Sequence, residues 1–422
     1  MTETTSAITP CQPLAAEPTD ATPVAHTLYR WRHLMERPLT IPFARMRLFG
    51  SDHEGVLAEG EGVLEFPDDE TISYRMTGST FDLRAALGRS TRCRENPYDP
   101  RLAFRLEGEH TDGSVFRSSW TCPRIDLSPD NHLICTGDID GGLWIDDHQV
   151  AQDVNTTEVA VHVPCGDDLD YTLHHQVGNG CTVEVLGEKI RFEYDRAAQT
   201  LTASLGASGR FRFPFAENWV VEPLRIMFAQ LVFPRLTARN HPDGRAAVSV
   251  RTTQNFVRTA GWVKLWSNEV RYADREGFWS LYASILAFMV RSHEAAEDPD
   301  VDAAAITELY EEVVHATRGS RWVWAMVIAS SVESLLQKLI PSGGLNPAAN
   351  VAQIEALSAH VRTWQGDGDL RKSLVNALDR RRSLSPRNVL SALRRTGRVT
   401  KAEFEAWDEL RNKSMHGNPV SR

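Results

Sequence analysis

The sequence has few cysteines, and none of them is spaced as a metal-binding or disulfide motif requires. Only six occur among the 422 residues, between Cys11 and Cys181, and no two of them form a CxxC pair. This density excludes a disulfide-stabilised scaffold and a zinc ribbon, and it suits a reducing compartment. We therefore expect a cytoplasmic protein.

Long hydrophobic runs are also lacking. The most apolar stretch, Phe278 to Val290, is about a dozen residues long and falls short of the roughly 20 that cross a bilayer. The N-terminus has neither the positive region nor the apolar region of a secretory signal. We expect no association with a membrane.

The signature motifs of several large enzyme classes are missing. The chain contains no G-x-S-x-G elbow, no Walker A loop and no G-x-G-x-x-G fingerprint, so hydrolase, NTPase and dehydrogenase interpretations lose their main support. The acidic string at 138–147 lacks the ligand spacing of an EF-hand loop, and we predict a hairpin turn at Asp140, Gly141 and Gly142. The His and Cys residues between 162 and 181 have no second matched pair and are expected to be structural. No metal site and no cofactor is predicted.

Charge of neither sign dominates strongly. The 46 Lys and Arg against 56 Asp and Glu give a net charge of −10, so bulk charge does not favour nucleic acid or anionic lipid. Any phosphate-binding surface must therefore be local. The content of 42% hydrophobic and 24% charged residues is that of ordinary folded proteins, and the length predicts about two to three domains.

Composition and hydrophobic periodicity divide the chain into three regions. Residues 1–26 are rich in Thr, Ala and Pro and are predicted to form a flexible leader. Residues 40–250 consist of short apolar runs between turn residues, which predicts an antiparallel β-sandwich-like domain. Residues 275–422 have the longer period of helices. The predicted fold class is α+β in two domains, with the all-α domain at the C-terminus.

Two segments of the β-rich region differ in whether their patterns indicate one type of secondary structure or two. In the segment 189–195, Ile190, Phe192 and Tyr194 alternate with charged residues, as a half-buried strand requires. The segment 222–236 fits either a short helix or a pair of strands.

In the C-terminal region, we predict helices at 277–294, 301–317, 321–340, 351–364, 369–381 and 386–395, and a last helix from 401.

The last helix carries the residues with the clearest chemistry. Thr400 and Glu403 form a capping box at its start, and the string R-N-K-S-M-H near its end contains Arg411, Asn412 and His416. At about 100° per residue, Asn412 and His416 share one face and Arg411 lies beside them. An Arg provides a permanent cation for phosphate oxygens, and a His exchanges protons near neutral pH. Cleavage of RNA through the ribose 2′-OH needs both. The alternative is a helix end whose Arg and His complement the helix dipole.

The string W-D-E-L-R-N-K-S-M-H-G, from Trp407 to Gly417, resembles the R-x(4–6)-H signature of the HEPN superfamily of helical domains. The segment 325–339 looks like an earlier core helix of these domains, with Glu333 where members often carry an acidic residue. The resemblance covers roughly 275–422. It implies an all-α HEPN bundle with metal-independent endoribonuclease activity, and a homodimer in which two motifs face each other.

The resemblance also implies roles for individual residues. Arg411 is expected to stabilise the phosphate and the transition state, His416 to transfer protons, and Asn412 to orient or contact the substrate. Glu333 is expected to orient Arg411 or His416, because burying a carboxylate on an apolar helix is costly without a partner. A solvated position at the edge of the helix is the alternative for Glu333.

The segment immediately before the motif is strongly basic. Between Arg362 and Lys401, eleven basic residues against three acidic ones give a local charge of +8. Such a segment can follow a phosphate backbone, and an ordinary solvated helix surface is the alternative. The predicted RNA-binding residues are Arg380, Arg381, Arg382, Arg394 and Arg395.

The order of the two domains adds a second resemblance. A β-rich N-terminal domain followed by a HEPN bundle is similar to the ApeA-type anti-phage proteins, which act as abortive-infection ribonucleases. This resemblance implies cleavage of cellular RNA, with tRNA as a candidate, and restraint by the β-rich domain until an unknown phage-derived trigger acts. The main alternative is a non-catalytic HEPN protein for binding or dimerisation, whose β domain senses a ligand.

Overall fold

The protein forms two compact units, Met1–Ala304 and Ala305–Arg422. No helix in the part of the chain that the structure describes combines the length and hydropathy of a membrane span. The structure, a computed structural model, describes residues 12–13, 27–50, 55–67, 71–130, 132–145, 154–163, 168–178, 180–206, 211, 215–230, 232–242, 244–252, 265–266, 274–294, 305–316, 319–340 and 351–415.

The first unit consists mainly of antiparallel strands. Its strands are β1 Gln12–Pro13, β2 Leu39–Gly50, β3 Val56–Phe66, β4 Ser73–Thr80, β5 Phe104–Glu109, β6 Val115–Thr121, β7 Arg124–Leu127, β8 Leu133–Ile145, β9 Thr156–His162, β10 Cys181–Val185, β11 Glu188–Asp195, β12 Thr200–Gly206, β13 Leu236–Asn240 and β14 Ala246–Val250. Its helices are α1 Thr27–Trp31, α2 Leu83–Glu95, α3 Asp168–Gln176, α4 Phe215–Trp219, α5 Glu222–Phe228 and α6 Arg275–Glu294, with a 3₁₀ turn at Arg32–Met35.

Six of these strands close into a barrel. In the order β8, β4, β3, β2, β5 and β6 each strand pairs with the next, and β6 pairs back with β8. Phe43, Leu106 and Phe116 are among the buried residues of its core. The prediction of a sandwich is therefore wrong. Alternation along a strand is the same in a sandwich and a barrel, and closure depends on which distant strands pair.

Strand β8 joins the barrel to the rest of the sheet. Its first half pairs with β4, whereas 143–145 pair with β14. Gly141 and Gly142 lie at this change, with φ angles of 86° and 150°, where β8 has one more residue than the opposing stretch of β6. The predicted hairpin turn is wrong, because the two glycines form a bulge in a continuous strand and do not reverse the chain.

The sheet continues from β8 through β14, β13, β9, β12, β11 and β10, and α6 packs against β10 and α5. The ring of Trp279 in α6 lies 5.0 Å from that of Phe192, and the hydroxyl of Tyr282 donates to the carbonyl of Val220 at 2.7 Å. The helical periodicity from residue 275 predicts that α6 belongs to the C-terminal domain. The boundary between units instead follows residue 304, because α6 buries its aromatic face within the first unit.

Two patterns of the β-rich region can be compared directly with the structure. In β11, Ile190 and Phe192 are buried and Tyr194 is half-buried, which confirms the predicted alternation. The ambiguous segment 222–236 forms helix α5 and then enters β13.

Part of the predicted flexible leader belongs to the sheet. Of the predicted leader, Gln12–Pro13 pair with β10, and the remaining residues of 1–26 lie outside the described residues.

The second unit is helical, and its helices lie close to the predicted ranges. They are α7 Ala305–Ala316, α8 Arg321–Lys338, α9 Val351–Thr363, α10 Gly368–Arg382, α11 Pro386–Arg395 and α12 Lys401–Met415. Helix α8 packs against α7, α11 and α12, while α9 and α10 pair with each other. Leu336, Leu390 and Trp407 form a buried cluster between α8, α11 and α12.

Candidate functional site

Helix α12, which carries the motif, begins with the predicted capping box. The backbone N–H of Thr400 donates to Glu403 Oε2 at 2.7 Å, and the N–H of Glu403 donates to Thr400 Oγ1 at 3.2 Å. Hydrogen bonds from the backbone N–H and hydroxyl of Thr400 hold the pKa of Glu403 below its usual value. The box fixes where the helix starts, and it therefore fixes which face each later residue occupies.

Trp407 anchors the middle of α12 to α8. Its side chain is only 6% exposed and lies in the cluster with Leu336, and its indole N–H donates to the carbonyl of Ala329 at 3.4 Å. Phe404 packs on the edge of the same cluster, and Leu410 is half-buried. Phe404, Trp407 and Leu410 therefore lie on the packed face of α12, with Trp407 at its centre.

One turn beyond Trp407, Arg411 meets Glu333 of α8. Arg411 Nε donates to Glu333 Oε2 at 2.9 Å, and Nη2 donates to Oε1 at 3.0 Å. This is the bidentate geometry in which a guanidinium and a carboxylate pair most strongly. The guanidinium carbon also lies 5.8 Å from the centroid of the Trp407 ring. Arg411 is thus held by a carboxylate from one helix and an aromatic ring from its own.

The electrostatics of this pair follow from the two hydrogen bonds. They lower the pKa of Glu333 and raise the pKa of Arg411, so both groups are charged throughout the physiological range. The side chains of Arg411 and Glu333 are 34% and 35% exposed. The guanidinium of Arg411 is therefore partly accessible from solvent.

The structure brings together two of the four residues predicted for the site. Glu333 contacts Arg411 and is not merely a solvated edge residue. Asn412 is exposed on α12. His416 lies outside the described residues.

The five arginines predicted to bind RNA differ in their surroundings. Arg380 and Arg381 at the end of α10 and Arg395 at the end of α11 are exposed. Arg382 pairs with Glu355 of α9 at 3.1 Å, and the guanidinium of Arg394 lies 4.7 Å from the ring centroid of Phe404. The last two therefore also connect neighbouring helices.

Sequence reasoning missed an ion pair beside the motif. Arg387 of α11 contacts Asp408 of α12 at 2.9 Å, and Asp408 directly follows Trp407. Its partner is 21 residues away along the chain, so no spacing rule within α12 could have found the pair.

The His and Cys residues that we expected to be structural are only partly described. Cys181 is buried, and His162 is half-buried, with burial lowering its pKa. Cys165 lies outside the described residues. Within the described ranges, no group of three or more His, Cys, Asp and Glu side chains could hold a metal ion.

Comparison with protein-family models, with curated proteins and with solved structures found no match for this chain.

Proposed function

We propose that the chain is a metal-independent endoribonuclease of the HEPN type, which cleaves cellular RNA in anti-phage abortive infection. The observation that carries the proposal is the bidentate contact between Glu333 and Arg411. The sequence pointed to these two residues separately, through a motif on α12 and an acidic position on α8. Their contact, across 78 residues of chain, supports the idea that they belong to one site.

The proposed reaction is a transesterification within the RNA. The ribose 2′-OH loses its proton, its oxygen attacks the adjacent phosphorus, and the bond to the 5′-oxygen breaks as that oxygen gains a proton. The products are a 2′,3′-cyclic phosphate and a 5′-hydroxyl. Arg411 stabilises the charge that builds up on the phosphorane oxygens, and His416 transfers protons. The nucleophile is already part of the substrate, so the chemistry requires no metal-activated water.

In this scheme Glu333 is a positioning residue. It holds the guanidinium of Arg411 in one plane and one orientation, so that a phosphate meets donors that are already aligned. Asn412, exposed one position further along α12, contacts the substrate. The two proton transfers are shared between His416 residues of a homodimer formed through the helical unit.

The remaining parts of the proposal concern substrate and control. The exposed guanidinium groups of Arg380, Arg381 and Arg395 bind the RNA backbone, and tRNA is the candidate substrate. The β-rich unit restrains the nuclease until a phage-derived trigger acts, because an unrestrained ribonuclease would harm its own cell.

Expression in bacterial cells, with and without phage infection, tests the proposal. We expect growth arrest with the intact protein and none with His416→Ala or Arg411→Ala. Lys413→Ala is the matched control on the same helix, because Lys413 pairs with Glu409 and does not contact Glu333, and it should behave as the intact protein. Equal effects of the intact protein and His416→Ala would contradict catalysis and favour a non-catalytic binding or dimerisation protein.

A further inference from the structure

The outer face of the barrel carries an aromatic and cationic groove that the proposed nuclease chemistry does not use. It lies over β2, β5, β6 and β8 and has a volume of about 420 Å³. That volume lies within the usual range for small-molecule sites, roughly 300–1,000 Å³. Phe49, Trp120 and Trp144 contribute rings to it, and Arg105 and Arg117 contribute guanidinium groups.

The register of the strands places these side chains side by side. Arg117 of β6 lies opposite Trp144 of β8, and Phe49 of β2 lies opposite Arg105 of β5. Residues directly opposite in an antiparallel pair have neighbouring side chains on the same face. The groove is therefore built into the pairing of the barrel and does not depend on a loop.

Trp120 is exposed because the strand register shifts beside it. In β6, Phe116 and Ser118 are buried, and simple alternation would bury Trp120 as well. The register between β6 and β8 shifts between Ser118 and Trp120, and Trp120 is 42% exposed whereas Thr121 is buried. A shift that turns a tryptophan out of a core gives up burial energy, and such irregularities commonly aim a side chain at a ligand.

The charges in the groove are unbalanced. Its lining has one carboxylate, Glu107, which accepts hydrogen bonds from Arg117 at 3.2 Å and from Arg47 at 3.1 Å. Arg105 lies over the ring of Trp120, 5.2 Å from its centroid, and makes no ion pair with any described carboxylate. By contrast, a cavity of about 520 Å³ elsewhere in the first unit has both of its arginines in ion pairs, with Asp195 and Asp170.

We propose that this groove binds a nucleotide unit, with the base packed against the exposed part of the Trp120 ring that Arg105 does not cover, and the phosphate bound by Arg105 and Arg117. The exposed indole offers the flat apolar surface that every base can use. The two guanidinium groups offer planar sets of donors that match phosphate oxygens. A sugar would use the ring without needing the arginines, and a simple anion would use the arginines without needing the ring. This site lies in the first unit and does not depend on the proposed cleavage reaction.

Direct binding to the purified full-length protein tests this proposal. The probes are AMP, GMP, CMP and UMP in calorimetry, with inorganic phosphate and maltose for comparison, and a fluorescent ten-residue oligo(dT) in polarisation. The DNA has no 2′-OH, so it cannot be cut by the proposed transesterification, and its binding is measured independently of nuclease activity. Binding of mononucleotides indicates a free nucleotide as the natural ligand, whereas binding of oligo(dT) alone indicates a single strand.

Matched variants locate the binding. Trp120→Ala and Arg105→Ala should each weaken binding at least about ten-fold. Tyr98→Ala and Arg124→Ala change an exposed ring and an exposed guanidinium outside the groove and should leave binding unchanged. Thermal melts confirm that all variants fold.

Three results would overturn the proposal. One is no binding of any mononucleotide or of oligo(dT) up to about 5 mM. Another is unchanged affinity in Trp120→Ala, which would place any nucleic-acid binding elsewhere, for example at the basic helices of the second unit. The last is binding of maltose or phosphate as tight as that of AMP.

Discussion

Substitutions at Glu333 and Arg411 can separate the effect of this ion pair on RNA cleavage from its effect on stability. Glu333→Gln should lower the rate of RNA cleavage about ten-fold. In the wild type, both carboxylate oxygens of Glu333 accept hydrogen bonds from the guanidinium of Arg411, whereas the amide of Gln has only one acceptor oxygen. Glu409→Gln is the control, since Glu409 pairs with Lys413 on the same helix as Arg411. The double exchange Glu333→Arg/Arg411→Glu should have the melting temperature of the wild type but should not cleave RNA. Recovery of cleavage in the exchange would show that the pair is only structural.

The pKa shift of Glu333 predicts how this pair depends on pH. The hydrogen bonds from Arg411 lower the pKa of Glu333 in the folded state, so its stabilising effect is present above the unfolded pKa and is lost as pH falls through the folded one. The difference in melting temperature between wild type and Glu333→Gln should stay constant from pH 8 to about pH 6 and shrink below about pH 4.5. It should be small throughout, because both side chains are about one-third exposed. A difference that grows on acidification would contradict this account.

At the scale of the elements, strand β8 contains a bulge whose backbone requires glycine. A Cβ on Gly142 would lie 2.5 Å from the carbonyl oxygen of Val250, and the φ of Gly142 is 150°. Gly142→Ala should therefore reduce the free energy of unfolding of the β-rich unit by about 2 kcal/mol or more. Gly206→Ala, at an open position at the end of β12, should change it by less than about 0.5 kcal/mol. Equal urea midpoints for the two variants would contradict a bulge that requires glycine.

At the scale of the whole molecule, the assignment of α6 to the first unit predicts how the chain can be divided. A fragment of residues 1–304 should be monodisperse in gel filtration and unfold cooperatively. A fragment of residues 1–274 should aggregate or bind a hydrophobic dye, because it lacks the buried side chains of Phe278, Trp279 and Tyr282 and exposes their partners. Equal behaviour of the two fragments would place α6 outside the first unit.

The sequence predicts the helices of the second unit better than the barrel, and the reason is physical. Signals such as the Thr400–Glu403 box are local, so each helix could be delimited from its own residues. Barrel closure depends on the pairing of β6 with β8, and the aromatic face of α6 could have packed in either unit. The exposure of Trp120 depends on a register shift between β6 and β8. Such a shift cannot be predicted from the sequence of β6 alone.

The sequence predicts individual residues of the candidate site but not the contacts between them. Arg411 and Glu333 are each predicted from resemblance to a motif, and Glu333 is also unusual as a carboxylate on an otherwise apolar helix. Their bidentate contact joins two helices, and so does the contact between Arg387 and Asp408. Only the packing around Trp407 brings these partners within reach.

The most direct test of the central claim is incubation of total tRNA with the purified protein in EDTA, followed by mapping of the cleavage ends. Our account predicts cuts by the wild type, and none by Arg411→Ala or His416→Ala, that leave 2′,3′-cyclic phosphate or 3′-phosphate ends. RNA that stays intact under every condition, including after addition of extract from phage-infected cells, would contradict it. Equal cleavage by the wild type and both variants would contradict it as well.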